Sequence, residues 1–184
     1  MFMRRSSADQ PRATIWPGEV PESIDAAWHI YDALADWTGK VDAKASYSLT
    51  IESAALAGAV ALSQSGGTLS HLRFNALTWV YGAGIVLLGA AVLASVAVIM
   101  PRLTAARRLR REWPSNYIYF GHLRYWRPED LAAAMKQDNL LPVLTRAVVA
   151  MSELTWQKHR CMQASLVLSA LGSALIVLVV LLSA

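Results

Sequence analysis

Five arginines fall within ten positions of this 184-residue sequence, at Arg102, Arg107, Arg108, Arg110 and Arg111. Guanidinium groups at that density bind phosphate, either the head groups of anionic lipids or the phosphate of a soluble ligand. Just beyond them Tyr117, Tyr119, Phe120, Tyr125 and Trp126 crowd around Gly121. Rings at that density either pack a small core or offer a stacking surface for a base. Upstream, Asp42 and Lys44 flank the start of a long uncharged stretch, and Glu52 stands inside it. The patterns of nucleotide-cradling loops, nucleophile elbows and zinc hydrolases (GxxxxGK[ST], GxSxG, HExxH) do not occur. His29, His71, His122 and His159 are not paired at ligand spacing, and one cysteine, Cys161, makes neither an internal disulfide nor a zinc site. The expectation is a binding or coupling protein without a metal, a cofactor or catalytic residues.

The elements that must position these groups follow from hydropathy. The chain is 55% hydrophobic and only 16% charged, against about 25% charged in soluble domains. The deficit is local: Phe74 to Pro101 and Met162 to Ala184 carry no charge. Residues 74–100 and 163–184 are therefore read as membrane spans. The alanine- and serine-rich stretch 47–64 is read as a third, which comes first in the chain. Its Glu52 costs roughly 2.5–3.5 kcal/mol in a bilayer, on the scale measured for Asp, and must face another helix or water. Ala54 and Gly58 form a small-xxx-small pair that allows close helix approach. Trp79 and Tyr81 suit the interface end of the second span.

Residues 1–20 read as disordered. Pro21-Glu22-Ser23 opens an amphipathic helix over 21–46. Its apolar stripe runs through Ile24, Trp28, Tyr31, Leu34, Trp37 (with Thr38), Val41, Ala45 and Leu49. Gly39 is either a weak point or a close-packing point in this helix. Residues 65–73 form a turn outside the membrane, and Arg127-Pro128-Glu129-Asp130 starts a short helix. From Leu141-Pro142 a long helix runs on to the third span. Five Lys or Arg precede the first span, one (Arg73) lies between spans one and two, and eleven lie between Pro101 and Met162. The positive-inside rule then puts the N-terminal segment and residues 101–162 in the cytosol of a cell-membrane protein. The fold expected is an all-α membrane protein with three transmembrane helices. The first and third extend into the cytosol, with a small helical or irregular cytosolic unit between spans two and three.

Three local patterns resemble the membrane effectors of Pycsar antiphage systems. Asp42-Ala43-Lys44-Ala45-Ser46 is similar to that family's D-x-K-A-x motif ahead of its first span. Tyr119-Phe120-Gly121-His122-Leu123, with Trp126-Arg127-Pro128-Glu129-Asp130-Leu131, resembles a second family segment. In Leu144 to Lys158, Lys158 matches a family lysine ahead of the last span. His122 departs from an acid usual in the family, and Arg146 stands near a usual Gln.

The resemblance implies an effector activated by cyclic UMP or cyclic CMP from a paired pyrimidine cyclase. It would impair the membrane, arrest or kill the infected cell, and act as a homo-oligomer that binds no nucleic acid. On that basis Lys44, Lys158 and Arg124 are candidates to meet the cyclic phosphate. Trp37, Tyr119 and Trp126 are candidates to lie against the base, with Asp42 and Gly121 completing the site or its coupling to the membrane. A structural membrane protein whose cytosolic part recruits a partner is the alternative. A small transporter or lipid-binding subunit is a third reading, weakened by the few polar residues in the last two spans.

Overall fold

A computed structural model describes residues 20–64, 76–101, 106–137 and 140–183. The expectations for residues 1–19 and for the turn at 65–73 lie outside them. Among the described residues six helices follow in order: α1 Val20–Gln64, α2 Ala76–Ile99, α3 Ala106–Glu112, α4 Phe120–Leu123, α5 Pro128–Gln137 and α6 Leu140–Ser183, with a 3-10 turn at Trp113–Ser115. There is no strand among the described residues.

Helices α1, α2 and α6 are each long and apolar enough to cross a membrane. At 1.5 Å per residue, the 24 residues of α2 extend about 36 Å, close to one bilayer. The 45 residues of α1 and 44 of α6 extend about 66–68 Å, so each has about 36–38 Å to spare beyond the hydrocarbon. The spare lengths make a two-helix stalk. Local sequence accounts for the ends: Glu22 lies in the first turn of α1, Pro101 follows α2, and Pro142 lies in the first turn of α6. α5 opens on Pro128 with Glu129 and Asp130 in its first turn and has Lys136 in its last, each charge complementing the helix dipole.

The pairing Thr38 with Thr155 and Glu52 with Ser165 shows that α1 and α6 run parallel. α2 runs antiparallel to both, since Val98 packs with Val41, Ala45 and Met162 at one end and Tyr81 reaches Ala59 towards the other. The core has two layers: Val41, Ala45, Val98 and Met162, with Cys161 packed alongside, and then Ala59, Tyr81, Leu88, Ile176 and Val179.

Three local expectations are corrected. The packed seam of α1 passes through Thr38, which is buried, while Trp37 is exposed, because a step of 100° takes Trp37 off the face that meets α6. Ala54 and Gly58 are exposed, and a Cβ on Gly58 would meet nothing within 4 Å. Close approach occurs instead between α2 and α6, where a Cβ on Gly172 would lie 2.9 Å from the Gly84 carbonyl oxygen and 3.0 Å from the Leu88 nitrogen. Tyr81 is buried, its hydroxyl donating to the Ala59 carbonyl at 2.5 Å, whereas Trp79 stays exposed.

Candidate functional site

The stalk does not stand alone. Residues 112–122 fold against one flank of it, held by an internal set of rings and hydrogen bonds. Trp126 stands edge-on to Trp113 at 4.9 Å and to Tyr117 at 6.4 Å between ring centroids. Its indole N–H donates to the Asn116 carbonyl at 3.1 Å. The Asn116 amide in turn donates to the Glu112 carbonyl at 2.9 Å. Gly121 is buried beneath Tyr119, and any Cβ there would run into the Tyr119 ring and come within 3.3 Å of Leu109. The glycine thus sets where the Tyr119 ring can lie.

Between this unit and the stalk is an open cleft of ≈ 880 Å³. Tyr31 contributes from α1, Asn116, Tyr119 and His122 from the unit, and Arg146 and Gln157 from α6. Arg146 is tied into it by a hydrogen bond from Nη2 to the Ser115 carbonyl at 2.8 Å. That bond uses one of five guanidinium N–H groups and leaves capacity to meet an anion. Glu112 and Glu153 also line the cleft and, as carboxylates, can only accept. A smaller hollow of ≈ 270 Å³ lies beside it, sharing Tyr31 and Ile118 as a common wall and floored by Trp28, Tyr117, Met135 and Leu140. The cleft therefore presents one cation, amide groups that donate and accept, and aromatic faces. Among the described residues no group of three His, Cys, Asp or Glu is placed to hold a metal.

A line of polar contacts descends from the cleft along the α1–α6 seam. Thr38 and Thr155 hydroxyls meet at 2.8 Å, one donating its proton to the other, while the accepting hydroxyl donates its own to the carbonyl four residues back in its helix, Leu34 or Met151. One turn further, Lys158 Nζ donates to both Asp42 oxygens at 2.6 and 2.7 Å. Lys158 is buried and Asp42 half-buried. Deeper still, at the level of the spans, Glu52 is only 2% exposed. Its two oxygens accept from Ser95 of α2 at 2.9 Å and Ser165 of α6 at 2.5 Å, and the serines touch one another at 2.8 Å. A carboxyl that faced lipid would be costly; here one serine from each of the other two spans satisfies it.

The side chains singled out from sequence separate into three places. Asp42 and Lys158 are brought together from 116 residues apart, so Asp42 pairs with Lys158 and not with Lys44. Tyr119 lines the cleft, Gly121 lies under it and Trp126 packs behind it. Arg124 is exposed, its guanidinium 4.8 Å from the centre of the Tyr125 ring. Trp37 and Lys44 are exposed on α1 and do not line the cleft. Tyr31, Asn116, Arg146 and Gln157 were not singled out as site residues by sequence. Arg146 was visible only as a departure from a family pattern, and Tyr31 only as one member of a helical stripe. Ser95 and Ser165 carried no signal of their own, although Glu52 required partners of their kind.

The profile of a family described as the Pycsar effector protein domain matches residues 26–184, almost the whole described chain. No curated protein and no solved structure matches.

Proposed function

Since the chain belongs to the Pycsar effector family of antiviral defence proteins, we propose that it is a membrane effector switched on by a cyclic pyrimidine nucleotide, cyclic UMP or cyclic CMP. The observation that carries this reading is the cleft, whose walls are the free ends of α1 and α6, the two helices that continue unbroken into the spans. A ligand shifts a conformational equilibrium only by binding one state better than the other. A nucleotide lodged between Tyr31 and Tyr119 on one side and Arg146 on the other does so by drawing residues 112–122 and the two stalk helices into a new packing. In this reading Arg146 meets the single phosphate charge, Tyr119 lies against the pyrimidine, and Asn116 and Gln157 meet the base edge. Glu112 or Glu153 accepts from the ribose hydroxyl. Lys158, already engaged by Asp42, acts in coupling and not in phosphate binding, and Arg124 lies aside from the cleft.

The seam below is the route outward. Movement of α6 against α1 at the cleft strains Thr38–Thr155 and Asp42–Lys158, then the Glu52 cluster that joins all three spans. Opening that cluster exposes a carboxyl to lipid or admits water to it, and either loosens the bilayer around the protein. The resulting loss of membrane integrity arrests the infected cell. The excess of Lys and Arg at the stalk end supports a reading in which the stalk and residues 106–137 are on the cytosolic side, where a cyclase product is made.

Purified protein tested with each nucleotide, by calorimetry in detergent and by dye release from liposomes, checks the reading. Saturable binding of cyclic UMP or cyclic CMP is expected, with dye release at the same concentrations. Arg146→Ala is expected to weaken binding by roughly ten- to a hundredfold, the loss of one charge-assisted contact. Absence of saturable binding to either nucleotide would sink the proposal.

A further inference from the structure

The contacts around Glu52 call for more hydrogens than the two serines own. Glu52 Oε2 stands 2.9 Å from Ser95 Oγ, Oε1 stands 2.5 Å from Ser165 Oγ, and the two Oγ atoms stand 2.8 Å apart. Each of these is the length of an O–H···O hydrogen bond, and each such bond needs its own hydrogen. A serine hydroxyl carries one proton, so the pair supplies two. With both of them given to an ionised carboxylate, Ser95 and Ser165 would be pressed oxygen to oxygen with nothing between them. A third proton, on Glu52 itself, closes the ring. One carboxyl oxygen then donates to one serine instead of accepting from it. That serine donates to the other serine, which donates to the second carboxyl oxygen.

The surroundings point to the same state. Glu52 is buried between an apolar layer of Val41, Ala45, Val98 and Met162 and another of Ala59, Tyr81, Leu88, Ile176 and Val179. No Lys, Arg or His occurs among residues 45–64, 76–99 or 161–183. On α6 Lys158 is seven residues, about 10 Å, before Ser165 and is held by Asp42. On α1 Lys44 is eight residues before Glu52 and exposed. The other titratable groups near this level are Cys161, packed on the first layer, Tyr81 of α2 in the second, and exposed Tyr47, and none is a cation. A buried carboxyl with no cation beside it is accommodated by becoming neutral.

We propose that Glu52 is a proton-binding site, a neutral carboxylic acid whose proton is one of three hydrogens locking α1, α2 and α6 together. When the ring is broken and water reaches it, the proton passes to that water as hydronium and a carboxylate is left among the spans. The closed bundle therefore holds one proton more than any state in which the ring is open and wet. Opening becomes easier as the pH rises and harder as it falls, by up to about tenfold in the equilibrium constant per pH unit. The carboxylate re-enters the ring only by regaining a proton, because the Ser95–Ser165 contact otherwise lacks its hydrogen. The proton of the closed state does not depend on which ligand the cleft takes. Its release during activation rests on the proposed function, in which that same cluster opens.

Infrared spectroscopy of the full-length protein in liposomes at neutral pH, with no nucleotide present, reads the proton directly. The carbonyl stretch of a protonated carboxylic acid is expected, since carboxyls in water are ionised at that pH. Carbon-13 labelling of glutamate is expected to move the band to lower frequency, and labelling of aspartate to leave it in place. Glu52→Gln, whose amide offers a donor and an acceptor in nearly the same space, is expected to remove it. Ser165→Ala keeps the carboxyl but takes away one partner, and is expected to shift the band without removing it. Unfolding in detergent is expected to grow easier with rising pH in the unmodified chain and to lose up to about tenfold per pH unit of that dependence in Glu52→Gln. No protonated-carboxyl band in the unmodified chain overturns the proposal. So does a band that ignores the glutamate label or survives Glu52→Gln, or a pH dependence of unfolding equal in the two chains. None of these measurements involves a nucleotide, so their failure is distinct from a failure of the cleft to bind one.

Discussion

Lys158 gives up nearly all of its hydration to reach Asp42, and the bidentate contact at 2.6 and 2.7 Å offsets that loss. Removing one partner leaves the other unpaired in a half-dry seam, which is costlier than removing both. Lys158→Ala is expected to destabilise the protein by about 1–3 kcal/mol, less than a fully buried pair because Asp42 keeps contact with water. The double change Asp42→Asn with Lys158→Met is expected to recover most of that loss, as read by thermal unfolding in detergent. A double variant no more stable than Lys158→Ala would show that the stem of the lysine, and not its charge, holds the seam. The motif residue Asp42 was legible in the sequence, but its partner was not. Lys44, two residues on, faces another side of the helix, and a contact across 116 residues has no local signature.

At the scale of the helix, glycines in similar sequence settings do opposite things. Gly39 lies in the middle of α1, and a Cβ there meets nothing within 4 Å, so it is not a close-packing point and carries only its entropic cost. Gly39→Ala is expected to stabilise α1 by about 0.5–1 kcal/mol, seen as a higher unfolding temperature. Gly172→Ala is expected to destabilise, because its Cβ would press on the backbone of α2 at Gly84 and Leu88, which cannot turn aside as a side chain can. The helix periods, the starts at Pro128 and Pro142 and the stop at Pro101 are written locally. Which glycine faces a neighbour depends on the rotation of two helices about their axes, which no single helix contains.

For the whole molecule, the proposed function puts sensing at the cleft and membrane damage at the spans, two separate places. Lys44 lies at the level where α2 ends, outside the cleft and outside the Asp42–Lys158 contact. Lys44→Ala is expected to leave nucleotide affinity within about twofold of the unmodified chain, since distant sites act independently, and to abolish dye release and toxicity. Calorimetry and liposome leakage on the same preparation read the two separately. Loss of binding in that variant would place Lys44 in the ligand site and the separation would be wrong.

The sequence by itself determined the three spans, the continuity of the amphipathic segment with the first of them, and the need of Glu52 for polar company. These are consequences of hydropathy, helical period and the cost of a carboxyl in hydrocarbon, all properties of a local stretch. Only the tertiary structure decided that Ser95 and Ser165 supply that company, that Lys158 and not Lys44 takes Asp42, and that Arg146 rather than Arg124 faces the cleft. The first two depend on the register of α1, α2 and α6, and the third on how residues 112–126 lie against α6. Register is set by the sum of many weak contacts along some 60 Å of helix, none of which identifies itself in the chain.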